Sequence, residues 1–390
     1  MSSSRVPGLW LISLAAFSSM ASMRVCDPML VALATEFQVS VGEASRVISA
    51  FAVAYGCLQL FYGPLGDRVG KLRVINAAAL GCAVFSAMTA MASDFQLLVI
   101  ARAAMGASAA GIIPLSMAWL GDQVSYDRRQ ETLAKLMSAT VTGMMAGQWF
   151  GGWAVESLGW RNAFVVLSCM FATACGLLFV RMGAQRRAVP VYSEGSYWQA
   201  ALGSIGLLRV PRVRWVLIVT GLEGAMAFGT LAFVPSQLVQ HFHLSASLAG
   251  GLMALYGIGG LLYSQMARRW LGWFGERGLA RLGSALVAMG LLLLAWGQHP
   301  VLAALGCLAA GLGFYMLHNT LQTQATQMAP HARGSAVTLF ACLLFFGQST
   351  GVLLVAQTVD HGGVEWAYTV SAVGMVVLGR VIARRVQGKA

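Results

Sequence analysis

The chain reads as a succession of long apolar runs, each broken after one to two dozen residues by charged or turn-forming positions. A helix needs roughly 20 mostly apolar residues to cross a bilayer. Twelve runs meet that condition, at 8–36, 43–66, 73–92, 95–121, 132–156, 160–181, 212–240, 246–267, 279–297, 301–327, 333–357 and 364–383. The longest polar stretch, GAQRRAVPVYSEGSYWQAALGSIGLLRV over 183–210, lies near the midpoint and divides these runs six plus six. The pattern predicts an N-terminal six-helix bundle over 1–182, a cytoplasmic linker over 183–210 and a C-terminal six-helix bundle over 211–390. Within the linker, YWQAALGSIGLL suits a helix lying on the membrane surface, with a plain connection as the equal alternative.

Composition agrees. The 390 residues are 58% hydrophobic and only 10% charged, with mean hydropathy +0.70, whereas soluble domains carry about 25% charged residues. A net charge of +12 would suit nucleic acid, but the basic residues collect in alternate loops and at the chain ends. Only Arg24, Arg46, Arg102 and Arg161 of the 26 fall elsewhere. This is the positive-inside distribution of a membrane protein; it predicts both termini in the cytoplasm and no nucleic-acid partner. The N-terminal stretch MSSSRVPGLWLISLAAFSSMASM imitates a signal peptide. The apolar run continues through VCDPMLVALA, so an uncleaved first span is expected. Seven cysteines, all within apolar runs and without metal spacing, read as small buried hydrophobes. His241 and His243 read as surface residues.

Three short strings carry more specific information. GPLGDRVGKLR, Gly63 to Arg73, offers glycines for a tight turn or close helix approach, among them Gly63 and Gly70. Its Asp67 and Arg68 can meet a neighbouring helix end or a facing charge. RAAMGASAAG, Arg102 to Gly111, places an arginine inside an apolar span. GMMAGQWFGG spaces Gly143, Gly147 and Gly151 four apart, on one helix face, where backbones can approach. A packing stripe alone explains these glycines. GQSTG at Gly347 repeats the G-Q-x-x-G of Gly147 in the corresponding run of the second half, and the aromatic strings GWRNAF and VEWAY follow the two copies. Two repeats with a site at their interface is a transporter plan.

Together these strings resemble the major facilitator superfamily. GPLGDRVGKLR is similar to its G-x-L-a-D-R-x-G-R-K signature, with Leu72 at the second basic position and Arg73 one residue on. Arg102 to Gly106 resembles the superfamily's R-x-x-x-G of the fourth span. GMMAGQWFGG resembles the G-x-x-x-G-P-x-x-G-G of drug:proton antiporters, with Gln148 replacing the proline. DPMLVALATEF is similar to the first-span aspartate motif of the twelve-span antiporters, with Pro28 beside the acid and Val31 at the later proline position. The resemblance implies an all-α fold of twelve transmembrane helices in two pseudo-symmetric bundles, a monomer, and a central cavity lined by the first helix of each half. It further implies conformational gating by Gly63, Asp67, Arg68, Gly70, Gly143, Gly147 and Gly151.

Few ionisable residues remain within the spans: Arg24, Asp27, Arg102, Glu223 and His318. Each is costly in lipid and marks a functional candidate. Asp27 and Glu223 belong to the first spans of the two halves. Asp27 with Arg102 is the expected proton switch. The plainer alternative is a static pair with Arg24, three residues earlier on the same face. Glu223 reads as a second protonation site, a contact for a cationic substrate, or a neutral hydrogen-bonded acid. Arg102 reads as an interior arginine or a snorkelling one. In FYMLHNTLQTQATQ, Phe314, His318 and Gln322 share a face and Asn319 adds an amide, as a cavity lining or as helix–helix hydrogen-bonding groups. Gln148, Trp149, Tyr256 and Gln348 complete the candidate substrate contacts.

No nucleotide-binding loop and no metal-ligand helix is present, so the expectation is a non-enzyme without cofactor or metal, driven by an ion gradient. The expected function is export of a small amphipathic or cationic compound in exchange for protons, across a bacterial inner membrane. The alternatives are proton-coupled uptake or export of a specific metabolite (a siderophore, sugar or amino-acid derivative), and lipid flipping or a non-transporting sensor.

Overall fold

The computed structural model describes residues 8–124, 126–184, 204–361 and 363–386. Among them every regular element is helical. In chain order these are α1 (Leu9–Arg24), α2 (Leu30–Phe37), α3 (Val41–Ala44), α4 (Arg46–Val69), α5 (Lys71–Ala90), α6 (Phe95–Ala109), α7 (Ile112–Gln123), α8 (Tyr126–Ser157), α9 (Trp160–Ala184), α10 (Pro211–Leu231), α11 (Val234–Phe242), α12 (Ala246–Leu252), α13 (Ala254–Trp296), α14 (Pro300–Gln327), α15 (Arg333–His361) and α16 (Val364–Arg385), with 3-10 turns at Asp27–Met29, Ser204–Arg209 and Pro330–Ala332.

Several expected spans are bent in their interior. The first run is two helices joined by a 3-10 turn at Asp27–Met29. Pro28 has no N–H to give the Arg24 carbonyl, and in a continuous α-helix its ring would clash with that carbonyl. The seventh run divides between α10 and α11, with Pro235 in the first turn of α11. The fourth divides at Gly111 and the eighth at Met253. Broken helices persist in a bilayer only where neighbouring helices satisfy the freed backbone, and these breaks lie against other helices rather than lipid.

Ten segments are long and apolar enough to cross a membrane among the described residues, against twelve expected runs. The run at 132–156 lies in α8, where Gly143, Gly147, Gln148, Gly151 and Gly152 dilute the hydropathy. The runs at 246–267 and 279–297 form one 51-residue segment, Ala246–Trp296. At 1.5 Å per residue the 43 residues of α13 would extend about 65 Å, twice the hydrocarbon core. The backbone departs from helix at Gly275, φ 61°, ψ 175°.

The string GPLGDRVGKLR, most of which lies between the apolar runs 43–66 and 73–92, forms mostly the last turns of α4. Hydropathy marks where a helix leaves the apolar slab, not where its hydrogen-bond ladder ends. Gly70, at φ 101°, makes the turn. A Cβ on Gly63 would meet nothing within 4 Å, so no close helix approach requires this glycine in this state. Asp67 pairs with Lys71 at 3.7 Å, and Lys71 reaches Asp122 of α7 at 2.5 Å. Arg68 lies in the last turn of α4.

α1 packs along α8, α4 on α6 and α5 on α9. In the second half α10 packs along α15, and α13 on α14 and α16. Two of these seams are the same seam. A Cβ on Gly147 would fall on the Ala21 carbonyl and one on Gly151 on the Val25 carbonyl. On Gly347 it would fall on Gly221, and on Gly351 on Ala225. One offset along the chain separates both glycines and both partners, so the repeat read in the motif is also a repeat in packing. Gly143 extends the first seam against Phe17. Most of the expected surface helix, 197–203, lies outside the described residues, as do most positions of 183–203; its end is the 3-10 turn Ser204–Arg209.

Candidate transport site

The turn at Pro28 brings Asp27 to the inner edge of α1. Its carboxylate is buried. Oδ2 lies 3.4 Å from Arg24 Nη1 and accepts a 3.1 Å hydrogen bond from Gln148 Nε2 of α8. Oδ1 has no partner, and neither has Arg24 Nε. Gln148 can reach because the glycines around it let α8 close onto α1. The Arg24 guanidinium faces the second half, 4.6 Å from the centre of the Phe228 ring on α10.

Arg102 does not pair with Asp27. It donates to the Ser22 carbonyl at 3.0 Å and to the Val47 carbonyl at 3.4 Å, and lies over the Phe51 ring at 4.4 Å. Buried completely, it ties α6 to the last turn of α1, and it does not snorkel. The expected Asp27–Arg102 pair is therefore replaced by Asp27–Arg24, because three residues separate Arg24 from the acid on one helix edge and the carbonyls of α1 and α4 claim Arg102 first.

In the second half, buried Glu223 lies 3.0 Å from His318 Nδ1 of α14. His318 stacks on Phe314 at 5.0 Å, Phe314 meets Phe228 at 4.8 Å, and Tyr256 lies 5.9 Å from Phe314. Rings thus run unbroken from the Arg24 guanidinium to the Glu223–His318 pair. Buried Tyr256 and Gln348 line the same region, with the Tyr256 hydroxyl and both Gln348 amide atoms unpartnered. Asn319 binds the Tyr263 hydroxyl at 3.2 Å. Gln322, one turn beyond His318, is exposed, and Trp149 stacks on Trp153 on the exposed face of α8; the structure brings neither into the buried cluster. His241 and His243 are exposed.

Bonds between the halves concentrate toward one end. Asp360 at the end of α15 accepts from Ser40 Oγ at 2.6 Å and from the Gly42 N–H at 3.0 Å, and Glu156 accepts from the Ser247 N–H at 3.1 Å. Deeper, Ser349 Oγ donates to the Ser49 carbonyl at 3.1 Å and Cys342 to the Gly56 carbonyl at 2.9 Å. Asp360→Ala is expected to remove two charge-assisted hydrogen bonds that, at this solvent-exposed position, are together worth about 1.4 kcal/mol. That shifts the equilibrium at this end toward the open form by about tenfold, read as a longer distance population between spin labels at Thr35 and His361. An unchanged distance distribution would show that Asp360 is not a latch.

A sequence profile of the Major Facilitator Superfamily matches residues 12–352. The chain belongs to the major facilitator superfamily. It is 26% identical over 379 residues to the MFS-type transporter YceJ of Bacillus subtilis (strain 168), covering 93% of this chain and 92% of YceJ. It is 22% identical over 379 residues to the multidrug efflux protein YfmO of the same organism, covering 96% and 93%. Among solved structures, a bacterial homologue of the human lysosomal transporter Spinster, inward-facing and unoccupied, superposes with TM-score 0.77 at 14% identity over 98% of both chains. As a major facilitator protein the chain is a multi-pass membrane transporter.

Sequence reasoning missed Phe228 and Asp360. Phe228 lies five residues beyond Glu223, so its ring was one more apolar position in a span. Asp360 was read as loop, and nothing in the string links it to Ser40.

Proposed function

We propose that this major facilitator protein is a proton-coupled secondary active transporter of a small amphipathic compound. Two six-helix bundles, 1–182 and 211–390, joined by 183–210 and together spanning the bilayer twelve times, rock about a site at their interface. Asp27 takes and gives the coupling proton, and Glu223 with His318 forms a second titratable pair. The carrying observation is the buried Arg24–Asp27–Gln148 cluster set directly against Phe228 of the other half. Charge at a bilayer midplane is retained for use, and this charge lies where the halves must move against each other.

Export in exchange for protons is supported by the efflux name of YfmO and by the glycine face of α8. A second reading, in which proton and substrate travel together, is favoured by Arg24. When Asp27 takes a proton, the guanidinium loses its counter-ion in a buried setting, and a substrate anion would replace it. The basic loops favour a bacterial inner membrane with both termini cytoplasmic, and the protein is expected to work as a monomer. Proteoliposomes containing a pH-sensitive dye test the core of the proposal. Proton movement should follow addition of an amphipathic substrate; its absence across a panel of cations, anions and neutral compounds would point instead to a lipid flippase or a sensor.

A further inference from the structure

The second half repeats the surroundings of Asp27 without the acid. Gln148 and Gln348 are equivalent by their glycine seams, Gly147 on Ala21 and Gly347 on Gly221. Gln148 spends its amide on the Asp27 carboxylate. The position matching Asp27 in the second half is Ala227. Gln348 is 1% exposed, and neither atom of its amide has a partner. A buried amide without partners is rare and costly. Its backbone lies against Gly224, one turn before Phe228, and Phe228 is the ring under Arg24.

Arg24 carries the second half of the argument. A guanidinium has five N–H donors. This one, at 2% exposure, makes one long bond to Asp27 and leaves Nε without a partner. The Tyr256 hydroxyl, also unpartnered, lies within electrostatic reach of it. A cation and a hydroxyl therefore lie beside an apolar wall of Phe228, Tyr256 and Phe314, and the unpartnered amide stands on α15 against the turn of α10 that precedes Phe228. In the first half the chain itself shows what an arginine and a glutamine amide hold together, and that is a carboxylate.

We propose that the transported compound is an amphipathic carboxylate, its carboxylate bound between Arg24 and Gln348 and its apolar body against Phe228, Tyr256 and Phe314. The inference rests on the second reading above. Charge balance sets the order. With Asp27 ionised, Arg24 is neutralised from within. When Asp27 gains a proton from water on the open side, Arg24 is left for the substrate anion, so one proton and one anion bind together and leave together. The titratable and charged groups around Asp27 are Arg24 and Cys26 beside it in sequence and Arg102 from α6; across the interface Tyr256 and Tyr315 face Arg24, with Glu223 and its partner His318 beyond them. α8 brings the Gln148 amide and, at its far end, Glu156; α11 and α12, which also pack on the turn, bring the exposed His241.

Three probes with one apolar body decide the matter: 2-naphthoate, 2-naphthamide and 2-naphthylmethylammonium, measured by equilibrium dialysis on the full-length protein in detergent. Naphthoate should bind about tenfold tighter than the amide near pH 5.5, and should weaken about tenfold toward pH 8. Asp27→Asn should keep naphthoate binding and flatten its pH dependence. Gln348→Leu, which leaves the Arg24–Asp27 pair untouched, should lower naphthoate affinity several-fold and leave the amide unchanged. Equal or better binding of the amide or the ammonium compound overturns the proposal, as does no binding of any probe up to about 1 mM. Carboxylate preference without proton movement in proteoliposomes would keep the site and sink the coupling, so the two failures are distinct.

Discussion

Asp27→Asn is expected to abolish proton-driven flux, by about 100-fold or more, in a protein that still inserts and folds. Asparagine has the size of aspartate and can still meet the Gln148 amide, so packing at the turn survives. What it cannot do is release a proton. The substitution also strips Arg24 of its anion in a buried setting, at a cost of about 3–5 kcal/mol, so the unfolding midpoint in detergent should fall. The double variant Arg24→Gln, Asp27→Asn removes both charges and should recover most of that loss while remaining inactive. A stability cycle that closes this way, with flux absent in both variants, separates the carrier role from a structural one. Proton-coupled flux at the wild-type rate in Asp27→Asn would show that the proton travels elsewhere, with Glu223 and His318 the next groups to test.

The residues that carry this argument were unequally visible in the string. Asp27, Glu223 and His318 stand out because an ionisable group in an apolar run is conspicuous at any register. Their partners are not. Arg102 was the expected partner of Asp27 and Arg24 the alternative, and only the bend at Pro28 and the claims of the Ser22 and Val47 carbonyls on Arg102 decide between them. The repeat G-Q-x-x-G was legible, yet its meaning lay in what each glutamine meets: Gln148 binds a carboxylate, whereas the Gln348 amide has no partner and the position matching Asp27 is Ala227. The count of ten apolar segments falls short of the twelve runs for a related reason. Hydropathy averages over side chains, so the glycines that let α8 approach α1 made it look less like a membrane helix, and the turn at Gly275 vanished inside a continuous apolar segment.

The glycine seams lead to the other large expected effect. Gly147→Val and Gly347→Val should each destabilise the protein by about 3 kcal/mol, because the new side chain falls on the Ala21 carbonyl in one case and the Gly221 carbonyl in the other. Both obstacles are backbone, with no rotamer to yield. Van der Waals contact and hydrogen bonds hold membrane helices together, without a hydrophobic drive between them, so separating α1 from α8 also breaks the Gln148–Asp27 bond. Gly63→Ala provides the opposite sign. Gly63 lies within α4 with open space around it, and alanine there should gain about 0.5–1 kcal/mol through helix propensity. Unfolding midpoints of the three variants check the ranking. If Gly63→Ala is more stable yet slower in transport, the space around Gly63 is filled in another state of the cycle, and its gating role belongs to that state. If it is more stable and equally fast, the glycine matters to neither, and the signature's function rests on Asp67, Arg68 and the turn at Gly70.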